Sequence, residues 1–306
     1  MAAKRGLPIH GWLVLDKPLG MSSSQAVGAV RRLLGAAKAG HGGTLDPLAT
    51  GVLPIALGEA TKTVPWAMAG RKTYRFTLRW GEARDTDDAE GKVTGTSPVR
   101  PVRAAIVPAL PGFTGRIQQR PPAYSALKID GERAYALARE GAEVALAPRP
   151  VDIFRLRFLG ERDADHAEFE AEVGRGTYIR ALARDLGAAL GTLAHITALR
   201  RLAVGRFRVE RAASLDNLTA LGHSAATSGH LLPIETALDD IPALALSEEE
   251  AHRLRCGQAV ALGVSERARL GSLDEGATVC ATAGGKLVAV AEIALGAVKP
   301  VRVLNL

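Results

Sequence analysis

At 306 residues the chain is long enough to bury a full core and to hold two domains. Hydrophobic residues make up 47% and charged residues 23%, a balance that excludes an extensively disordered chain. The formal charge of +7 points toward a polyanionic partner, and two separated cysteines, Cys256 and Cys280, argue against a disulfide framework or a zinc cluster.

In chain order, Gly11–Leu15 reads as a short buried strand. Ser22 to Gln25 supplies a capping box ahead of Val27, Val30, Leu33 and Leu34 at helical spacing, with Gly35 as the stop. The loop HGGTLDPLAT (41–50) follows, then a buried strand around Val52–Leu57 and a helix over Thr61–Met68 that Pro65 starts or bends. KTYRFTLRW (72–80) alternates: Tyr74, Phe76, Leu78 and Trp80 share one face, and Thr73, Arg75, Thr77 and Arg79 the other. That is a strand with one buried side.

After an acidic turn, RDTDDAEG, strands are expected near Arg116–Gln119, Ser125–Ile129, Val151–Leu159 and Ala167–Val173. Helices are expected near Val102–Leu110 and Arg133–Glu140. GRGTYIRALARDLGAALG reads as a helix opened by Thr177, with a stripe of Ile179, Leu182, Leu186 and Leu190. Asn217–His230 reads as connecting structure. Strands dominate and helices do not alternate with them, so the expected class is α+β with a mixed, largely antiparallel sheet. Beyond Asp240 a short helix ending at Gly257 precedes compact β segments. The expected domains are therefore residues 1–239 and a small β-rich unit, 240–306.

The charge is uneven. Arg175 to Arg211 holds eight arginines against Asp185 and Glu210, a local net of +6, whereas the tail from Leu238 is near neutral. Nucleic acid is the polyanion such a stretch suggests, with a solvated basic face as the plainer alternative. No segment is apolar enough to span a bilayer, and the apolar run at the start is cut by Asp16 and Lys17, so the cytoplasm is the expected compartment.

Motif by motif, the signals are modest. The acidic turn fails as an EF-hand because Ala89 stands where an oxygen ligand is needed and Glu90 where glycine is needed. It reads as a solvated turn, with a place beside an active site as the alternative. P-loop, dinucleotide-binding and nucleophile-elbow patterns are absent. Asp46, the one carboxylate of its Gly- and Pro-rich loop, reads alone as a turn residue, Tyr74 as a core aromatic and His41 as a polar loop residue. Arg180, in the first turn of its helix, opposes the helix dipole, which raises the question of what carboxylate it faces.

The ordered series is far more specific: WLVLDKPLGMSSSQAV, AGHGGTLDPLATGVLPIALGEATK, KTYRFTLRWGEARDTDDAEG, PPAYSALKIDGERAYALAREG, GRGTYIRALARDLGAALG and ALRRLAVGRF. From about residue 9 to about 211 it closely resembles the bacterial tRNA pseudouridine synthase B family. Thr44 before Leu45-Asp46, with Pro47 after, favours this family over pseudouridine synthases that place Arg before Leu-Asp.

The resemblance implies a pseudouridine synthase core with a C-terminal PUA-like RNA-binding domain, acting on uridine 55 in the TΨC stem-loop of tRNA. It implies that Asp46 is the catalytic aspartate, that Tyr74 stacks on the target base, that Arg180 pairs with the carboxylate, and that Tyr178, His41 and Leu199 contact substrate. The reaction is redox-neutral and intramolecular, so no cofactor and no metal are expected. Partners are expected to be tRNA alone, with no membrane, no obligate protein partner and a monomeric chain. The competing readings are an RNA-binding or tRNA-folding module with an idle site, a guide-RNA-dependent pseudouridine synthase subunit, and a hydrolase that releases free uracil.

Overall fold

A computed structural model of the chain describes residues 6–124, 128–129, 132–133, 146–222, 229–263 and 274–306. The expected helix over Arg133–Glu140 and the first three residues of the expected strand Ser125–Ile129 lie outside the described residues, apart from Arg133, which is in a strand.

The first half of the main sheet is built from β1 (Gly11–Lys17), β2 (Ala39–His41), β3 (Ala49–Leu57) and β4 (Lys72–Trp80). α1 (Ser23–Leu33) follows β1 and opens with the Ser22–Gln25 capping box, which satisfies two otherwise unpaired N–H groups. Thr61–Met68 is a turn of 3-10 helix running into α2 (Val64–Ala69), where Pro65 occupies a first-turn position that costs no hydrogen bond. The hairpin β5 (Glu82–Arg84) and β6 (Val93–Thr96) carries the acidic turn, and α3 (Arg103–Ala109) leads to β7 (Gly115–Gln119). β8 (Lys128–Ile129) and β9 (Glu132–Arg133) form a separate pair.

The second half contributes β10 (Arg149–Glu161), β11 (His166–Val173), α4 (Ile179–Ala189), β12 (Ala194–Val204), β13 (Phe207–Arg208), β14 (Ala213–Ser214), α5 (Leu215–Leu221) and β15 (Leu231–Leu232). Among the described residues the eleven-stranded sheet runs β14-β1-β3-β12-β4-β11-β10-β7, with β2, β13 and β15 beside it. Pairing is antiparallel except for β1–β14 and β3–β12, so the mixed, largely antiparallel α+β expectation holds. The alternation of β4 holds as well. Tyr74, Phe76, Leu78 and Trp80 are buried, and Phe76 stacks on Phe169 of β11 at 5.5 Å. Thr77 is also buried, between β11 and β12.

A second sheet, β16 (Ala243–Ala245), β17 (Val260–Ala261), β18 (Thr278–Ala283), β19 (Lys286–Ala294) and β20 (Ala297–Val303), has five strands and is packed by α6 (Glu248–Arg255). It is joined to the first sheet by apolar packing: Trp12, Val14 and Phe207 share one buried cluster with Cys280, Leu287, Val290 and Leu304. The Lys62 amine also donates to the Val303 carbonyl at 2.8 Å.

The parallel β3–β12 pair positions the site. Its register sets Leu199 opposite Ala49 and Arg201 opposite Gly51, so the end of the 41–50 loop lies against the middle of β12. Gly51 sits at φ +96, and a Cβ there would collide with the Arg201 carbonyl oxygen. Gly51→Ala is expected to destabilise the fold by about 2 kcal/mol or more through strain and backbone displacement. Thermal unfolding checks this, and an unchanged Tm would contradict it.

Candidate active site

The 41–50 loop is held by its main chain. The Ser23 hydroxyl, buried at the start of α1, accepts from the Leu45 N–H at 2.8 Å and donates to the Leu45 carbonyl at 2.9 Å. The Lys17 amine donates to the carbonyls of Met21 (2.6 Å), Pro18 (2.9 Å) and Pro47 (3.4 Å). Burial pushes the Lys17 pKa down to about 8, and the Asp46 charge works against that shift. The Arg201 guanidinium donates to the carbonyls of Gly43, Thr44 and Val52. Pro47 closes a turn in which the Ala49 N–H donates to the Asp46 carbonyl. Backbone order thus leaves the Asp46 side chain to point outward, 41% exposed.

That carboxylate meets Arg180, with Nη2 at 3.1 Å from Oδ2, and the guanidinium is only 7% exposed. Arg180 is the second residue of α4, whose buried Ile179, Leu182 and Leu186 pack the helix on the main sheet core. The same guanidinium donates to the carbonyls of Thr86 and Tyr124, both at 2.9 Å, and lies 3.5 Å from Asp88. Two carboxylates and two carbonyls therefore answer the question that the helix dipole raised.

Here one expectation is corrected. The 84–91 turn is not a solvated face: Asp87 and Asp88 are buried and point at α4. Asp88 pairs with Arg180, and Asp87 pairs with Arg184 at 2.8 Å. Asp87 adopts φ +58, and burial lifts its pKa to about 6 against the pull of Arg184 and Arg180. Asp88 accepts from the Thr86 hydroxyl and the Glu90 N–H, so its side chain is fixed independently of Arg180. A second small correction concerns the start of α4. The cap is Tyr178 rather than Thr177, and the Gln119 amide group accepts from the Tyr178 N–H and donates to its carbonyl.

The remaining candidates are placed by register. Tyr74 lies opposite Arg201 across the β4–β12 pair, one strand from the loop that Arg201 holds, with its ring mostly buried in the core cluster. Leu199 lies opposite Ala49 on one side and Phe76 on the other. His41 ends β2 opposite Ile55; its buried Nδ1 has no hydrogen-bond partner among the described residues. Burial, then the Arg201 charge, pushes its pKa down. Tyr178 precedes Arg180 by two residues, with the Arg149 guanidinium 5.4 Å from its ring centroid. The ion pair brings Asp46 and Arg180 into direct contact; the other four are placed on β4, β12 and β2 and at the cap of α4.

Sequence reasoning missed Lys17, Ser23 and Arg201, and it gave the acidic turn that holds Asp88 a place beside an active site only as its alternative. Within the basic stretch, Arg180, Arg184, Arg200, Arg201 and Arg206 also make bonds inside the chain, which the charge count does not show. The only local signal for Arg201 was a charged residue flanked at alternate positions of β12 by the apolar Leu199 and Ala203.

Residues 31–179 match the TruB family pseudouridylate synthase (N terminal domain), and residues 180–239 match the tRNA pseudouridylate synthase B C-terminal domain. A tRNA pseudouridine synthase B of Bradyrhizobium diazoefficiens is 58% identical over 97% of this chain and 86% of its own length. One of Rhodospirillum rubrum is 54% identical over 99% of each. A chain in the solved H/ACA RNP bound to a substrate RNA containing 2'-deoxyuridine superposes with a TM-score of 0.73 at 23% identity, covering 100% of this chain and 92% of that one, a likeness of fold. A chain of a Cbf5-Nop10-Gar1 complex gives 0.71 at 26% identity, over 97% of this chain and 84% of that one. Matches running from residue 31 to 239, and relatives more than half identical across nearly the whole length, place this chain in the TruB family of pseudouridylate synthases.

Proposed function

We propose that this chain converts uridine 55 of the tRNA TΨC loop to pseudouridine, with Asp46 as the catalytic carboxylate. The observation that carries the site is the 3.1 Å contact between Arg180 and an Asp46 side chain left accessible at the tip of a clamped loop. The reaction breaks the bond between ribose C1′ and uracil N1, turns the detached base, and joins C1′ to C5. C5 loses its proton and N1 gains one, so atoms and electrons balance without an outside acceptor. A uridine in a folded loop must leave its stack to be reached, and an aromatic platform can replace the lost stacking. Tyr74 takes that role, Arg180 holds the carboxylate in place from 3.1 Å as the base enters, and Tyr178, His41 and Leu199 bound the base. The relatives named above, tRNA pseudouridine synthases B by name, support tRNA as the substrate. Residues 1–239 form the catalytic unit, 240–306 a PUA-like RNA-binding unit, and the chain works as a cytoplasmic monomer.

The test is incubation of the purified chain alone with an unmodified tRNA transcript, followed by chemical mapping of pseudouridine. A single new pseudouridine at position 55 is expected. Release of free uracil would make the chain a hydrolase, and activity only with added guide RNA or partner proteins would make it a dependent subunit. For Tyr74, Tyr74→Leu keeps apolar bulk in the core and removes the platform. Turnover should fall about 5- to 150-fold, the range that corresponds to the 1–3 kcal/mol that base–aromatic stacking supplies. Wild-type turnover of the folded variant would return the ring to a packing role.

A further inference from the structure

We propose that Arg201 is a positioning residue for this reaction: one buried guanidinium clamps the backbone on both sides of Asp46 and ties it to the strand that carries Tyr74. The inference rests on reading Asp46 as the catalytic carboxylate. Each guanidinium nitrogen serves a different carbonyl: Nε donates to Val52 at 2.7 Å, Nη1 to Thr44 at 3.2 Å, and Nη2 to Gly43 at 2.9 Å. Two of those carbonyls precede Asp46 and one follows it, so a single rigid plane spans the loop. Gly43, at φ +118, brings its carbonyl close to the guanidinium without a side chain in the way. In the main chain, Arg201 stands opposite Gly51 on β3 and Tyr74 on β4.

Arg201 is 1% exposed, and no carboxylate among the described residues lies within ion-pair distance of it. A buried cation without a counter-ion is costly unless its donors are satisfied, and the alternate positions of β12, Leu199 and Ala203, are apolar. A position that served packing alone would hold a residue like those two. Burial also keeps Arg201 from touching RNA, so its influence runs through the loop. Lysine offers a point charge on a flexible stem and cannot reproduce three diverging hydrogen bonds.

The experiment compares Arg201→Lys, Arg201→Met and Asp46→Asn with the wild-type chain. It reads the single-turnover rate of pseudouridine formation at saturating tRNA, the tRNA Kd and the thermal midpoint. Arg201→Lys should fold and bind tRNA with wild-type Kd, while its rate constant falls about 10²-fold, the cost of displacing a reacting group by about 1 Å. Arg201→Met should fall at least as far. A wild-type rate in folded Arg201→Lys overturns the inference, as does a loss confined to Kd. Failure of both Arg201 variants to fold, read by circular dichroism, also overturns it in favour of a packing role. Turnover by Asp46→Asn would instead remove the site assignment on which this rests. An inactive Asp46→Asn beside a fully active Arg201→Lys would sink only the clamp.

Discussion

Asp46→Asn is expected to bind unmodified tRNA with near wild-type affinity and to form pseudouridine at least about 10⁴-fold more slowly, the scale on which an essential reacting group acts. The substitution is nearly isosteric. Ser23, Lys17 and Arg201 hold the loop through its main chain, so none of their hydrogen bonds depends on the carboxylate. The amide oxygen can still accept from Arg180, which preserves the orientation of residue 46 while removing its negative charge. Filter binding and single-turnover product analysis separate the two quantities. Substantial turnover by the folded variant would remove Asp46 from the chemistry.

Arg180→Ala should reduce the rate constant at saturating tRNA by about 10²–10³-fold, the scale for losing a preorganised charge beside a reacting centre, with affinity little changed. Its second effect is on stability. The Asp88 side chain is only 4% exposed and would lose its cation, a cost of about 3–5 kcal/mol for a broken buried pair. Arg180→Lys restores charge but not the fork that reaches Asp46, Asp88, Thr86 and Tyr124 together, so it should recover stability more than rate. A variant that binds tRNA poorly yet turns over normally once saturated would recast Arg180 as an RNA contact.

Local signals carried much of the fold. The β4 alternation, the α1 capping box and the apolar stripe of α4 each rest on residues within a few positions of one another, and each forms as read. The Asp46–Arg180 pair became legible only through the family resemblance, since its partners lie on a loop and a helix far apart in the chain. The 84–91 turn was misread for the same reason. Four acidic groups in seven residues look solvated until Arg180 and Arg184 arrive from α4 to neutralise two of them. The positive stretch around Arg200 likewise has partners that come from far along the chain: Asp16 on β1 pairs with Arg200 at 2.7 Å, and Arg201 donates to carbonyls of the 41–52 segment. α5, read as connecting structure, is a short helix set by the Ser214 cap and the single buried Leu218, too brief to give a periodic signal.

The most direct test of the account is a crystal structure of the Asp46→Asn chain bound to an unmodified TΨC stem-loop. The predicted result is uridine 55 extruded from the loop and stacked on Tyr74, with its ribose–base junction about 3–3.5 Å from residue 46, the spacing of reacting groups poised for attack. A uridine 55 still stacked within the RNA, or bound away from residues 46 and 180, would contradict it.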